Sequence, residues 1–140
     1  MAKHTYRDHL REIPLFADLD GDELDAIARV ATELDLPAGK ALMREGEFAH
    51  EMFVVIQGTV EVTRGGAHIA DIGPGGFAGE MALLTHAKRN STVITKTAVD
   101  VIHIDGRSFS ALLDEVPRIA VKMLPVVASR VTYDSERHSD

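Results

Sequence analysis

Cysteine and tryptophan are both absent from this sequence, and five phenylalanines and two tyrosines are the whole aromatic complement. Without cysteine there are no disulfides and no cysteine-ligated zinc, and the composition fits a reducing compartment. No stretch approaches the ~18 consecutive apolar residues that a membrane-spanning helix needs. The opening residues, Met1 to Asp8, are polar and mixed in charge, and lack the apolar core of a secretory signal. A cytoplasmic protein without membrane contact is the expectation. Positive charge is in the minority: 15 Lys and Arg against 22 Asp and Glu leave a net charge of -7 at pH 7. Such a balance repels a phosphate backbone, so no direct nucleic-acid partner is expected.

What is present fits one globular domain over residues 1–140. Near the start, Ile13, Leu15, Phe16 and Leu19 surround Pro14. Asp20 then stands where an N-cap belongs, with Glu23 three residues on, as in a capping box. Leu24, Ile27, Ala28, Ala31 and Leu34 follow at helical spacing, which predicts a helix over about residues 21–33. Pro37 and Gly39 are its expected stop.

From there short β-type runs alternate with glycine-containing turns. The runs are Ala41–Arg44, Met52–Gln57, Thr59–Arg64, His68–Ile72, Ser91–Thr95 and Val99–Ile104. Gly65-Gly66 between two of them is a hairpin signal, since both residues tolerate φ > 0. So many closely spaced strands predict a small antiparallel roll, over about residues 36–105. Helical texture returns over about residues 106–132. Phe109, Leu112 and Leu113 make a short stripe, and Pro117 suits a first helical position. Ile119, Ala120, Met123, Leu124, Val127, Ala128 and Val131 form a broad apolar face, which Pro125 should kink or break.

One stretch interrupts the strand rhythm, running from Gly75-Gly76-Phe77-Ala78-Gly79 through Glu80–Thr85 to Lys88-Arg89. Glycines let backbone approach a ligand, and a short helix start presents N–H groups with partial positive charge. Arg89 can fork onto phosphate oxygens. Glu80, itself an anion, makes sense beside a ligand that also carries a hydroxyl donor. A 3′,5′-cyclic nucleotide has one phosphate charge and a free 2′-OH together. Read singly, Arg89 is an ordinary surface arginine and Glu80 a first-turn carboxylate favoured by the helix dipole.

The stretch resembles the phosphate-binding cassette of cyclic nucleotide-binding domains. The family pattern is Phe-Gly-Glu-x-Ala-Leu, a short gap, then Pro-Arg-x-x-Thr-Val. It is met by Gly79-Glu80-Met81-Ala82-Leu83, then Arg89, Thr92 and Val93. The resemblance covers about residues 13–131. It takes in Ile13–Leu19, Pro37-Ala38-Gly39, Arg44–Glu47 and Phe53–Val62.

The resemblance implies an α+β fold, an antiparallel β-roll (a jelly-roll-like double-stranded β-helix) flanked by an N-terminal helix and C-terminal helices. It implies a ligand site made by Gly79, Glu80, Met81, Ala82, Arg89, Asn90, Ser91 and Thr92. There Glu80 takes the ribose 2′-OH, Arg89 takes the phosphate, and Gly79, Ala82 and Asn90 offer backbone N–H groups. Thr92 reads as a strand residue whose hydroxyl either faces the base or turns away. Lys88 replaces the usual Pro, Ala78 a usual aromatic, and His50 stands at a position that is acidic in many relatives and there orients the cassette arginine.

The expected function is a non-catalytic sensor of a cyclic nucleotide, cAMP ahead of cGMP, with no required cofactor. The C-terminal helices would signal to a protein partner of unknown identity or to an output domain. About nine residues follow Val131, which leaves no room in this chain for a helix-turn-helix. A homodimer through Ile119, Met123, Val127 and Val131 is also expected. Two other readings stand beside this one. The first is a degenerate roll used for protein association without nucleotide. The second is a cupin-like metalloenzyme, which needs a clustered His/Glu set. The seven histidines form no His-x-His or His-x-x-x-His pair, and no metal site is expected.

Overall fold

The computed structural model describes residues 10–138, with side chains through Val131. A 3₁₀ turn at Pro14–Phe16 leads into helix α1, Gly21–Val30. Asp20 caps α1 as its composition suggests. Its carboxylate accepts from the Glu23 backbone N–H at 2.9 Å, and Glu23 accepts from the Asp20 N–H at 3.0 Å.

Eight strands follow: β1 Thr32–Leu36, β2 Ala41–Met43, β3 Glu51–Gln57, β4 Val60–Arg64, β5 Ala67–Ile72, β6 Phe77–Ala78, β7 Thr92–Thr95 and β8 Val99–Asp105. Helix α2, Glu80–Thr85, falls between β6 and β7. Helix α3, Gly106–Glu115, and helix α4, Pro117–His138, come last.

The strands form two four-stranded sheets, in the orders β1-β8-β3-β6 and β2-β7-β4-β5, with every pairing antiparallel. This is the expected α+β roll. Gly65 and Gly66, at φ 59° and 82°, close the β4–β5 hairpin in the mirror-image turn that suits strand twist.

The helix expected over residues 21–33 stops at Val30, and Thr32 to Leu36 are a strand. Glu33, Leu34, Asp35 and Leu36 satisfy alternation as well as helical spacing. The five-residue pairing with β8, from Thr32↔His103 to Leu36↔Val99, decides between them. The roll therefore begins at Thr32, four residues ahead of its expected start. The two-residue strand Phe77–Ala78, pairing with Phe53 and Val54, also lies outside the expected runs.

Two apolar clusters hold the layers together. Leu42, Phe53, Val55, Val60, Val93 and Val101 fill the space between the sheets. On the outer side of β3 and β8, Met52, Val54, Ile102 and Ile104 pack against Phe16, Ile27, Phe109 and Leu112 from the turn and the helices. Both strands are thus buried on both faces, which is why they read as near-continuous apolar runs. Each such side chain contributes roughly 1.5–3 kcal/mol through removal from water.

Helix α4 runs through Pro125 without the break that was one of the two expected outcomes there, a kink or a break. The proline costs one backbone hydrogen bond. Buried Ile119 and Met123 before it, and contacts of Arg130 after it, hold the helix on course. Ile119 and Met123, assigned to a dimer face by sequence, lie in the chain's own core at 3% exposure each. Among the described residues the exposed large apolar side chains of α4 are Val121, Leu124, Val126 and Val131, of which only Val131 belongs to the expected dimer face. Among the described residues no helix is long and apolar enough to cross a membrane.

Candidate ligand pocket

A cavity of about 500 Å³ opens between β4–β5, the β6–α2 segment, the approach to β7, and α4. Val62, Ile69, Ile72 and Val93 give it an apolar wall, and Pro125 and Val126 of α4 bring more apolar surface. Gly79, Glu80, Met81, Ala82, Arg89, Asn90 and Ser91 all line it. Thr92 is not part of that lining: its hydroxyl accepts from the Glu45 backbone N–H at 3.0 Å.

Arg89 is 5% exposed. Its Nη1 donates to the Gly79 carbonyl at 2.8 Å and its Nη2 to the Glu51 carbonyl at 2.5 Å. One guanidinium thereby ties both arms of the cassette to β3. The Arg89 backbone is also clamped, donating to Glu47 O at 2.8 Å and accepting from Gly46 N at 2.9 Å. Burial pulls the guanidinium below its ordinary pKa, while the Glu51 and Glu80 carboxylates pull it back up. It remains a cation at any physiological pH.

The orienting role that the sequence suggested for the position of His50 thus falls to its neighbour, Glu51. His50 lines a second cavity of about 330 Å³ that also touches Arg89.

Glu80, the first residue of α2, is fully buried. The preceding Gly79 sits at φ +96°, a left-handed conformation that glycine adopts without steric cost. A Cβ there would stand 2.9 Å from Arg89 Nη1 and 2.9 Å from Glu51 O, so the site needs glycine for space as well. Glu80 Oε1 accepts from Arg130 Nη1 of α4. Its Oε2 is buried with no hydrogen-bond partner among the described residues.

Two arginines of the pocket escaped the sequence reading. Arg130 donates through Nη2 to the Phe77 carbonyl at 2.6 Å, and its guanidinium lies 4.9 Å from the Phe77 ring centre. Arg64 of β4 donates through Nε to the Asn90 carbonyl at 2.8 Å and through Nη2 to Ser91 Oγ at 3.2 Å. Ser91 in turn donates to Asn90 Oδ1 at 3.0 Å. No local motif marks Arg64 or Arg130. Only their alternation with apolar residues, Val62 before one and Val126 and Val127 before the other, hints that they lie near an interior.

The lining thus combines an apolar wall, a buried cation held through backbone carbonyls, and a buried carboxylate with one oxygen unpartnered. It suits a ligand with a flat apolar part, an anion and a hydroxyl. Among the described residues no histidine lines the cavity. Two groups that could hold a metal ion, Glu61, His68 and Asp71, and Glu33, Asp35 and Asp100, lie outside it. A cupin-like reading therefore draws no support from the pocket. His4 and His9 lie outside the described residues, and the side chain of His138 is likewise not described.

The sequence model of the cyclic nucleotide-binding domain family matches residues 33–116. Among curated proteins, a cyclic nucleotide-gated potassium channel of Mesorhizobium japonicum is 35% identical over 108 residues, 77% of this chain and 30% of the channel. A cAMP-dependent protein kinase regulatory subunit of Yarrowia lipolytica is 33% identical over 116 residues, 81% of this chain and 31% of that protein. The chain thus spans about three tenths of the length of these relatives. Among solved structures, the regulatory subunit of a cAMP-independent protein kinase A from Trypanosoma brucei shares the fold. Its TM-score is 0.82 at 23% identity, over 99% of this chain and 50% of that one.

Proposed function

We propose that this chain, which belongs to the cyclic nucleotide-binding domain family, holds a 3′,5′-cyclic nucleotide in the pocket and acts as a sensor without catalysis. In this reading Arg89 takes the cyclic phosphate, beside backbone N–H groups of the cassette at Gly79 and Ala82. Glu80 accepts from the ribose 2′-OH. The base lies along Val62, Ile69 and Ile72 under Pro125 and Val126. The single observation that carries the reading is Arg89 and Glu80, a buried carboxylate with Oε2 unpartnered among the described residues, in the lining of one apolar-walled cavity. A phosphodiester beside a hydroxyl satisfies both.

The ligand is cAMP, with cGMP as a weaker second. Asn90 can both donate and accept, so it does not forbid guanine. Helix α4 supplies Pro125, Val126, Ser129 and Arg130 to the pocket and carries exposed Val121 and Leu124 on its surface. It is therefore the element that reports occupancy, by its movement, to a cytoplasmic protein partner or an output domain. Channels and kinase regulatory subunits are the outputs found among the relatives.

A second reading, association with protein without nucleotide, is favoured by the same exposed residues of α4. Calorimetric titration with cAMP and cGMP separates the two. The sensor reading expects saturable binding of cAMP that weakens strongly in Arg89→Ala. Truncating one partner of a buried charge pair costs roughly 2–5 kcal/mol. Arg89→Lys restores part of it, because Lys keeps the charge and loses the fork. Absence of binding to either nucleotide, or native affinity in Arg89→Ala, would leave the association reading in its place.

A further inference from the structure

The fully buried carboxylate of Glu80 has one oxygen taken by Arg130 and the other without a partner. A buried carboxylate needs both a counterion and donors for its lone pairs. Arg130 is the counterion, and it is held in place independently of Glu80. Its Nη2 donates to the Phe77 carbonyl, and its guanidinium carbon lies over the buried Phe77 ring. Phe77 and Glu80 flank Ala78 and Gly79, so one guanidinium from α4 grips both ends of this short segment. That grip fixes which Glu80 oxygen is spent on the protein and which is left without a protein donor.

We infer that Arg130 is a positioning residue that sets the pocket's discrimination between ligands with and without a free 2′-hydroxyl. The inference rests on the reading of Glu80 as the ribose acceptor. With Arg130 in place, Glu80 cannot turn its second oxygen to the protein, and the ligand's hydroxyl is the donor that completes it. Without Arg130, the carboxylate loses its counterion and its orientation. Arg89, whose guanidinium the Glu80 charge already favours, is then a cation able to draw it away. A hydroxyl on the ligand then gains little. The same contact links ligand chemistry to α4, since the residue that aims Glu80 belongs to that helix.

The test is a set of titrations with cAMP and 2′-deoxy-cAMP on the native chain, Arg130→Gln and Arg130→Lys. The native chain should prefer cAMP by roughly 10- to 100-fold, the range expected for a hydrogen bond to a charged acceptor. Arg130→Gln should compress that ratio to about threefold or less, chiefly by losing cAMP affinity. Arg130→Lys, which keeps the charge without the fork, should fall between.

If Arg130→Gln weakens both ligands by the same factor, Arg130 is only a clasp on α4 and the inference fails. A native ratio retained in Arg130→Gln overturns it as well. A native chain that binds both ligands equally removes the inference and leaves the sensor reading standing. A native chain that binds neither removes both. Should Arg130→Gln fail to fold, Arg130→Lys carries the same comparison.

Discussion

Arg89 donates to the backbone carbonyl of Gly79, ten residues upstream, at 2.8 Å, and the two are packed so closely that a methyl group on Gly79 would stand 2.9 Å from the same nitrogen. Gly79→Ala should therefore hurt twice. It strains a backbone at φ +96° and pushes the guanidinium off its carbonyls. The expected loss is roughly 1–3 kcal/mol of stability, comparable to other strained-backbone positions. Urea denaturation measures it. Unchanged stability would mean that the segment relaxes without consequence for Arg89.

Met123 and Leu124 are adjacent on α4 but face opposite environments, one in the core and one on the surface. Met123→Ala should cost roughly 2–5 kcal/mol, as core truncations do. Leu124→Ala should change stability by about 0.5 kcal/mol or less. If the chain self-associates through α4, sedimentation should show Leu124→Lys weakening the association. Insensitivity to that change would remove α4's exposed face as the contact.

At the start of α3, the Asp105 carboxylate accepts from the Ser108 backbone N–H at 2.8 Å and from its hydroxyl at 3.0 Å. The backbone hydrogen bond from Ser108 is the chief cause holding this carboxyl below its ordinary pKa. A depressed carboxylate stabilises the fold above its unfolded pKa, and the contribution disappears as pH falls through the folded value. Asp105→Ala should cost about 1 kcal/mol near pH 7, as for other N-caps. The gap from the native chain should close below about pH 4. Thermal unfolding across that range is the measurement, and a gap independent of pH would assign the loss to something other than the charged cap.

His86 ends α2 with φ 56° and ψ 35°, left-handed for a residue with a side chain. The helix is closed there by the His86 and Ala87 N–H groups, both donating to Ala82 O. His86→Gly should raise stability by roughly 0.5–1 kcal/mol by removing that penalty, less what a looser unfolded chain takes back. A lower melting temperature would show that the imidazole makes a contact worth more than the strain.

Features whose physics is contained within a few residues were legible in the sequence. The Asp20–Glu23 cap, the Gly65-Gly66 turn, Pro117 at a helix start and the run from Gly79 to Arg89 each depend on neighbours along the chain. The apolar runs of β3 and β8 were legible because burial on both faces leaves no polar alternation to misread. What tertiary structure decided depends on partners far away in sequence. Residues 32–36 fit either period, and only the β8 ladder makes them a strand. Met123 and Leu124 are equally apolar, and only the packing of α4 on the helical layer sends one inward. Glu80 stood out in the sequence as an anion beside a phosphate-type loop, but its counterion lies fifty residues downstream on another element. A buried charge must be matched in space, and spacing along the chain carries no record of which distant side chain does it.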